Sequence, residues 1–152
     1  MVSGKNGRGI LLTMVDGKTR ILFIKKILPV SIKNVHKAFL CIQKKFPELK
    51  SISTDHDLLF QHHKELKKLL GSKIYFCRPY HSWEKGSIEN ANKHIRKYIS
   101  QGSDISFYPT SFIRKVAHRL NDRYLKILLY YSPREKLERH RKLKKRHSAW
   151  SF

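Results

Sequence analysis

Residues 10–28 read Ile-Leu-Leu-Thr-Met-Val-Asp-Gly-Lys-Thr-Arg-Ile-Leu-Phe-Ile-Lys-Lys-Ile-Leu. Ile10 to Val15 is an apolar run holding a single Thr, and Arg20 to Leu28 is a second run centred on Ile21, Leu22, Phe23 and Ile24. Between them stands Asp16-Gly17-Lys18, and Asp-Gly is a strong short-range signal for a hairpin turn. The two runs are expected to form an antiparallel strand pair, buried on both faces where they are uniformly apolar.

Downstream, Pro29 ends the second strand. Ser31 can cap a helix reaching about Phe46, with Val35, Ala38, Phe39, Ile42 and Phe46 at helical spacing and Pro47 as the stop. Lys50 to Thr54 reads as a short strand, and Gln61 to Leu70 as a helix with Leu66, Leu69 and Leu70 inward. Lys73 to Cys77 is another short strand. A loop from Arg78 to Lys85 leads into a helix ending near Ser100. Thr110 to Tyr131 looks helical, with a break near Asn121-Asp122. Strands interleaved with helices in this order imply an α/β layered fold around a mixed sheet. Ligands of such sheets bind beyond the carboxyl ends of the strands, and Asp55 stands at such an end.

The chain has 152 residues, 33 Lys plus Arg against 11 Asp plus Glu, and a formal charge of +22. That balance attracts polyanions, with nucleic acid as the leading partner. A membrane partner is not expected, because there is no apolar run of about 18 residues. No signal peptide is visible, so a cytoplasmic, nucleoid-associated location is expected. The two cysteines, Cys41 and Cys77, have no motif spacing. Beyond Pro133 the composition shifts: Arg134 to Arg146 holds eight Lys or Arg and two Glu. This reads as either a charged helix or an arm that orders on nucleic acid. The expected division is a core over 1–133 and a basic tail over 134–152.

Pro79 to Tyr98 carries the candidate chemistry. Glu89 falls in the first turn of its helix, and Lys93, Arg96 and Lys97 follow at offsets of four, seven and eight, on the same face. Ile88, Ala91, Ile95 and Ile99 form a second stripe for the core. A carboxylate followed by cations suits a metal held beside a phosphate backbone. A plain surface helix with a Glu89–Lys93 ion pair is the other reading. Asp55 and Glu89 have 33 residues between them, positions 56–88. A strand end and a later helix start can converge in a mixed sheet. Converging carboxylates bind hard cations, Mg²⁺ or Mn²⁺, which activate a water or 3′-hydroxyl against a phosphodiester. Asp55 could instead be a turn or capping aspartate.

Several pieces together resemble the catalytic domain of bacterial transposases of the insertion sequence 30 family. They are Gly-Arg-Gly-Ile-Leu-Leu-Thr-Met-Val-Asp (7–16), Ser-Thr-Asp (53–55) with Phe60 and His63, and Pro-Tyr-His-Ser-Trp-Glu-Lys-Gly-Ser-Ile-Glu-Asn (79–90). Leu120-Asn121-Asp122-Arg123 and Tyr131-Ser132-Pro133-Arg134-Glu135 look like that domain's closing helix and final motif. The resemblance runs from about Gly4 to Leu137. It implies a ribonuclease-H-like fold of the retroviral-integrase type and an Asp-Asp-Glu metal site that cuts DNA at element ends and joins the 3′-hydroxyl to target DNA. Asp55 corresponds to the second acid and Glu89 to the third. Trp83, Lys85, Lys93, Arg96 and Lys97 are the expected DNA contacts, with Trp83 either stacking at the rim or anchoring its loop on the core. A homo-oligomer is a further expected partner.

The chain also departs from the family. The first acid lies on the opening strand a few residues before the Gly-Lys matching Gly4-Lys5, which places it ahead of Met1 and leaves that strand missing or incomplete. Asp16 belongs to the hairpin turn, and Asp57 occupies a position where the family usually has Gly. Tyr124, Leu125 and Leu129 replace an expected Pro, Arg and Gly. The expectation is therefore a truncated transposase without catalysis of its own. The alternative is a non-catalytic basic DNA-binding protein.

Overall fold

The computed structural model describes residues 2–3, 9–54, 63–76 and 86–149. β1 (Val2–Ser3), β2 (Ile10–Val15) and β3 (Leu22–Ile27) form an antiparallel meander with β2 in the middle. The register pairs Val2 with Leu11 and runs from Ile10 opposite Ile27 to Val15 opposite Leu22. Among the described residues β1 is two residues long and lies beside β2.

Side chains alternate across a strand, and β2 uses both faces. Ile10 and Leu12, with Ile27 of β3, pack against Val35, Ala38, Phe39 and Ile42. Those four belong to α1 (Ile32–Lys45). Leu11, with Leu22 and Ile24, packs on the opposite side against Ile95, Ile99, Ile105, Ile113 and Val116. Ile95 lies on α3 (Gly86–Arg96), and Ile113 and Val116 lie on α4 (Thr110–Asn121). The sheet is therefore the middle of three layers, and the uniformly apolar start of β2 is the sequence mark of that position.

On the α1 side the helix starts where Ser31 accepts the Asn34 N–H at 3.2 Å, an N-cap. β4 (Ser51–Thr54) and β5 (Lys73–Phe76) pair in parallel, Ser51 opposite Lys73 and Thr54 opposite Phe76. Parallel strands need a crossover, and α2 (His63–Leu70) lies within it. Leu66 and Leu70 of α2 join the core, whereas Leu69 is 51% exposed, contrary to its predicted inward place. In a helix of eight residues the apolar face is one narrow stripe, and Leu69 falls beside it.

Two helices end earlier than their periodicity suggests. α3 stops at Arg96, and a tight turn through the Tyr98 and Ile99 N–H groups to Ile95 O still delivers Ile99 to the core. α4 stops at Asn121, at the expected break, and the chain continues through a 3₁₀ turn, Lys126–Leu128. Leu128 is buried there, but Ile127 is 69% exposed.

The basic segment after Pro133 is a helix, α5 (Pro133–Ala149). It opens on a capping box: Ser132 N–H donates to Glu135 Oε2 at 2.8 Å and Glu135 N–H to Ser132 Oγ at 3.2 Å. Leu137 is buried with Ile21 and Phe46. Arg141 grips Glu48 through two bonds, 2.8 and 3.1 Å, and also reaches Lys45 O. Arg139 lies over the Tyr131 ring at 4.4 Å. Among the two sequence readings of this segment, the docked charged helix is the one formed.

Candidate nucleic-acid-processing site

α3 is the element to which the candidate chemistry is attached. It is tied to the central strand by Thr13 Oγ1, which donates to Asn92 Oδ1 at 3.1 Å, and by the burial of Ile95 and Ile99. One face is thereby fixed inward. Glu89 is in the first turn and solvent-exposed, as are Lys93 and Lys97, the latter one residue past the helix end. Arg96 differs from its predicted companions: it is half-buried, and its Nη1 is buried with no hydrogen-bond partner among the described residues. The ion pairs formed among the described residues join Arg134 to Asp122 and Arg141 to Glu48; Glu89 and Lys93 are in neither.

Asp55, Trp83 and Lys85 lie outside the described residues, as do Asp57, Cys77 and His81. In sequence, Asp55 directly follows Thr54, the last residue of β4. Asp16, by contrast, is fully described and fully engaged. Its Oδ2 accepts from the Lys18 N–H at 3.2 Å and from Thr19 N–H and Oγ1, both at 2.7 Å. It is a turn aspartate whose oxygens hold the hairpin closed.

Among the described residues no three His, Cys, Asp or Glu side chains come together as a metal cluster. Of the two candidate acids, Glu89 alone is among the described residues; it is an exposed carboxylate, an oxygen donor of the kind Mg²⁺ and Mn²⁺ prefer.

Beside α3, on the side away from Glu89, lies a groove of about 310 Å³. Its walls are the β2–β3 hairpin, the first turns of α3, the end of α4 and the following turn, with Arg20, Ser87, Asn90, Arg123, Leu125 and Ile127 among the lining. The Arg20 guanidinium hydrogen-bonds Ser87 Oγ. Arg123 Nη1 lies 2.9 and 2.8 Å from the two ring nitrogens of His94. Burial, then the charges of Arg123 and Lys97, hold His94 below the usual histidine range. The shift favours the neutral ring, whose unprotonated nitrogen can accept from Arg123.

Asn121 is the site's least expected structural residue. Its side chain accepts from Leu22 N–H and donates to Leu22 O, both at 2.8 Å, doing for the free edge of β3 what a neighbouring strand would do. The sequence marks Asn121 only as a helix break and as part of the resemblance, not as a partner of the sheet. Nothing local distinguishes an amide that pairs with backbone 99 residues away.

With this geometry in view, the fold can be classed: it is the ribonuclease-H-like fold of integrase catalytic cores. The catalytic core domain of BIV integrase superposes with a TM-score of 0.72 at 18% identity, covering 93% of each chain. A chain of a simian T-cell lymphotropic virus intasome matches with a TM-score of 0.56 over 80% of this chain. By sequence, the chain is a homologue of transposases of the insertion sequence 30 type and of other insertion sequences. It is 37% identical over 138 residues to the transposase for element IS4351 of Bacteroides fragilis. It is 32% identical over 144 residues to transposase InsI for element IS30A of Escherichia coli strain K12. It is 30% identical over 139 residues to a probable transposase of Streptococcus salivarius. These matches take in 90%, 91% and 91% of the chain but 42%, 37% and 40% of the relatives, so the chain spans about two fifths of their length. No protein-family model matches it. Among the described residues no helix is long and apolar enough to cross a membrane.

Proposed function

We propose that this chain corresponds to the catalytic segment of an insertion-sequence transposase, the part of such a protein that carries metal-dependent cleavage and strand transfer of DNA. The observation that carries the reading is the layout of α3. Its core stripe is anchored on β2, so Glu89, Lys93 and Lys97 are left on the outer side, a carboxylate followed by cations. The parallel pairing of β4 with β5 supports Asp55 as the second carboxylate. The strands end level, Thr54 opposite Phe76, and Asp55 is the next residue along the first of them.

In this reading Asp55 and Glu89 would hold Mg²⁺ or Mn²⁺. Bound there, the ion would supply Lewis-acid stabilisation of a phosphodiester and an activated hydroxyl nucleophile. Lys93 and Lys97 neutralise phosphates along the strand, with Lys85 and Trp83, which precede α3 in sequence, completing the contact. Arg96 adds charge from a partly buried position, which makes it a positioning cation rather than a mobile one. The remaining charge, including α5, supplies sequence-independent affinity that falls as salt rises. Assembly of several copies on DNA belongs to the same proposal.

The test is titration of Mn²⁺ into the complex of the full chain with duplex DNA. Asp55→Asn and Glu89→Gln are each expected to weaken Mn²⁺ binding by about tenfold or more, since each removes an anionic ligand. Parental Mn²⁺ affinity in both variants would remove the two residues from the site.

A further inference from the structure

The groove beside α3 is not used by the metal reading, and three independent features of it agree. The first is charge. Arg20 and Arg123 line it from separate elements, Ser87 and Asn90 add neutral polar groups from α3, and no carboxylate is among its described lining. Guanidinium forks match phosphate oxygens in two-point geometry. The second is shape. About 310 Å³ lies at the lower end of small-ligand sites, roughly 300–1,000 Å³. That is too small for a helix or a duplex and sufficient for one nucleotide, whose base would lie on the apolar floor beside Leu125 and Ile127.

The third feature is backbone strain. Among the described residues the non-glycine positions with positive φ are Arg20 (61°), Leu129 (55°) and Tyr130 (61°). A side chain in the left-handed region is unfavourable, and such residues gather where function requires them. Here all three fall in the two turns that frame the groove. Arg20 closes the hairpin, its N–H bonded to Asp16 O at 3.0 Å, in a position where glycine would be relaxed. Leu129 and Tyr130 close the turn whose Leu125 N–H and C=O bond Tyr131 O and Tyr130 N–H. The outcome is an arginine lining the groove on one wall and, on the other, a turn that presents Leu125 and Ile127 to it.

We infer that this groove receives a single unpaired nucleotide of the DNA strand, with its phosphate on Arg20 and Arg123 and its base on the apolar floor. The inference rests on the DNA reading above and deepens it. An unpaired nucleotide, not a paired one, is required because only a base out of the stack presents its flat face to a pocket.

The experiment compares the affinity of the full chain for a short duplex and for the same duplex carrying one unpaired nucleotide, at one salt concentration. The parent should prefer the second by about tenfold. Arg123→Ala and the groove-filling Ser87→Trp, at an exposed position, should each abolish the preference. Arg20→Gly should abolish it too while melting no lower than the parent, because glycine relaxes the left-handed turn. Equal affinity for the two DNAs in the parent, or a preference that survives Ser87→Trp and Arg123→Ala, overturns the inference. A preference that survives while Ser87→Trp changes the sedimentation state would mean that a second copy fills the groove, and also overturns it. Binding of duplex without preference rejects the groove alone, whereas binding of neither DNA rejects the DNA reading as well.

Discussion

The two sides of β2 are built differently. Toward α1 and α2 the sheet meets a continuous apolar layer of Ile10, Leu12, Ile27, Val35, Phe39, Ile42, Ile52, Leu66 and Leu70. Toward α3 and α4 it meets an apolar layer threaded with specific polar ties. Thr13 bonds Asn92, Asn121 bonds the Leu22 backbone, and Lys26 Nζ reaches Ser106 O and Tyr108 O at 2.9 and 3.0 Å. The left-handed residues, the groove and Glu89 all belong to this second side. Both sides are packed cores, and the second also fixes the position and orientation of α3, the helix to which the proposed chemistry is assigned. Apolar packing tolerates small shifts, whereas hydrogen bonds hold a direction. On the first side such ties join α1, α2 and their loops, as in Gln43 Nε2 to Leu70 O at 2.6 Å. On the second they tie helices and loops to the sheet itself.

The largest expected effect breaks the first side. Leu12→Ala leaves a cavity beneath α1 and should cost about 3 kcal/mol in urea unfolding. Its DNA affinity should equal the parent's under conditions where the variant is folded. A drop in affinity at full folding would mean that the sides are not separable. Next comes the second side: Asn121→Ala strips both backbone partners from Leu22 and should cost about 2 kcal/mol. Because Asn121 also lines the groove, nucleotide preference should fall with it, unlike in Leu12→Ala.

The smallest effect concerns α5, which straps the hairpin to the end of α1. Arg141's hydrogen bond holds the Glu48 carboxyl below its ordinary range, against the opposing effect of burial. A lowered carboxyl value means stability that is complete above about pH 4.3, the ordinary glutamate value, and lost as pH falls through the lowered one. Glu48→Gln should therefore be less stable than the parent at neutral pH by up to about 1 kcal/mol, modest because Arg141 is partly exposed. The gap should close in acid. A gap independent of pH would place the contribution in packing instead.

Much of the first side could be read directly from residues. Ser31, the α1 stripe and the apolar start of β2 obey local periodicities, and each appears where periodicity places it. The failures have physical causes. Leu69 is placed inward by spacing, which cannot tell the edge of a stripe from its centre. Arg96 shares a face with Lys93 by offset, yet it is half-buried where α3 gives way to a tight turn. The capping box Ser132-Pro-Arg-Glu135 was visible as letters but was taken only as a family motif. Leu129 stands where a Gly is expected by resemblance, and the structure does place it in left-handed backbone, so the turn persists after its preferred residue is gone. The groove had no sequence signature, because its walls come from four separate stretches of chain. Asp55, legible from its place at a strand end as well as by resemblance, lies outside the described residues with Trp83 and Lys85, and all three remain proposals.

The central claim is that the α3 side of the sheet meets DNA and the α1 side does not. Hydrogen exchange of the full chain with and without duplex DNA tests it directly. The account predicts slowed exchange in 86–97 and 123–130 with no change in 32–45. Protection centred on 32–45, with 86–97 unaltered, would contradict it.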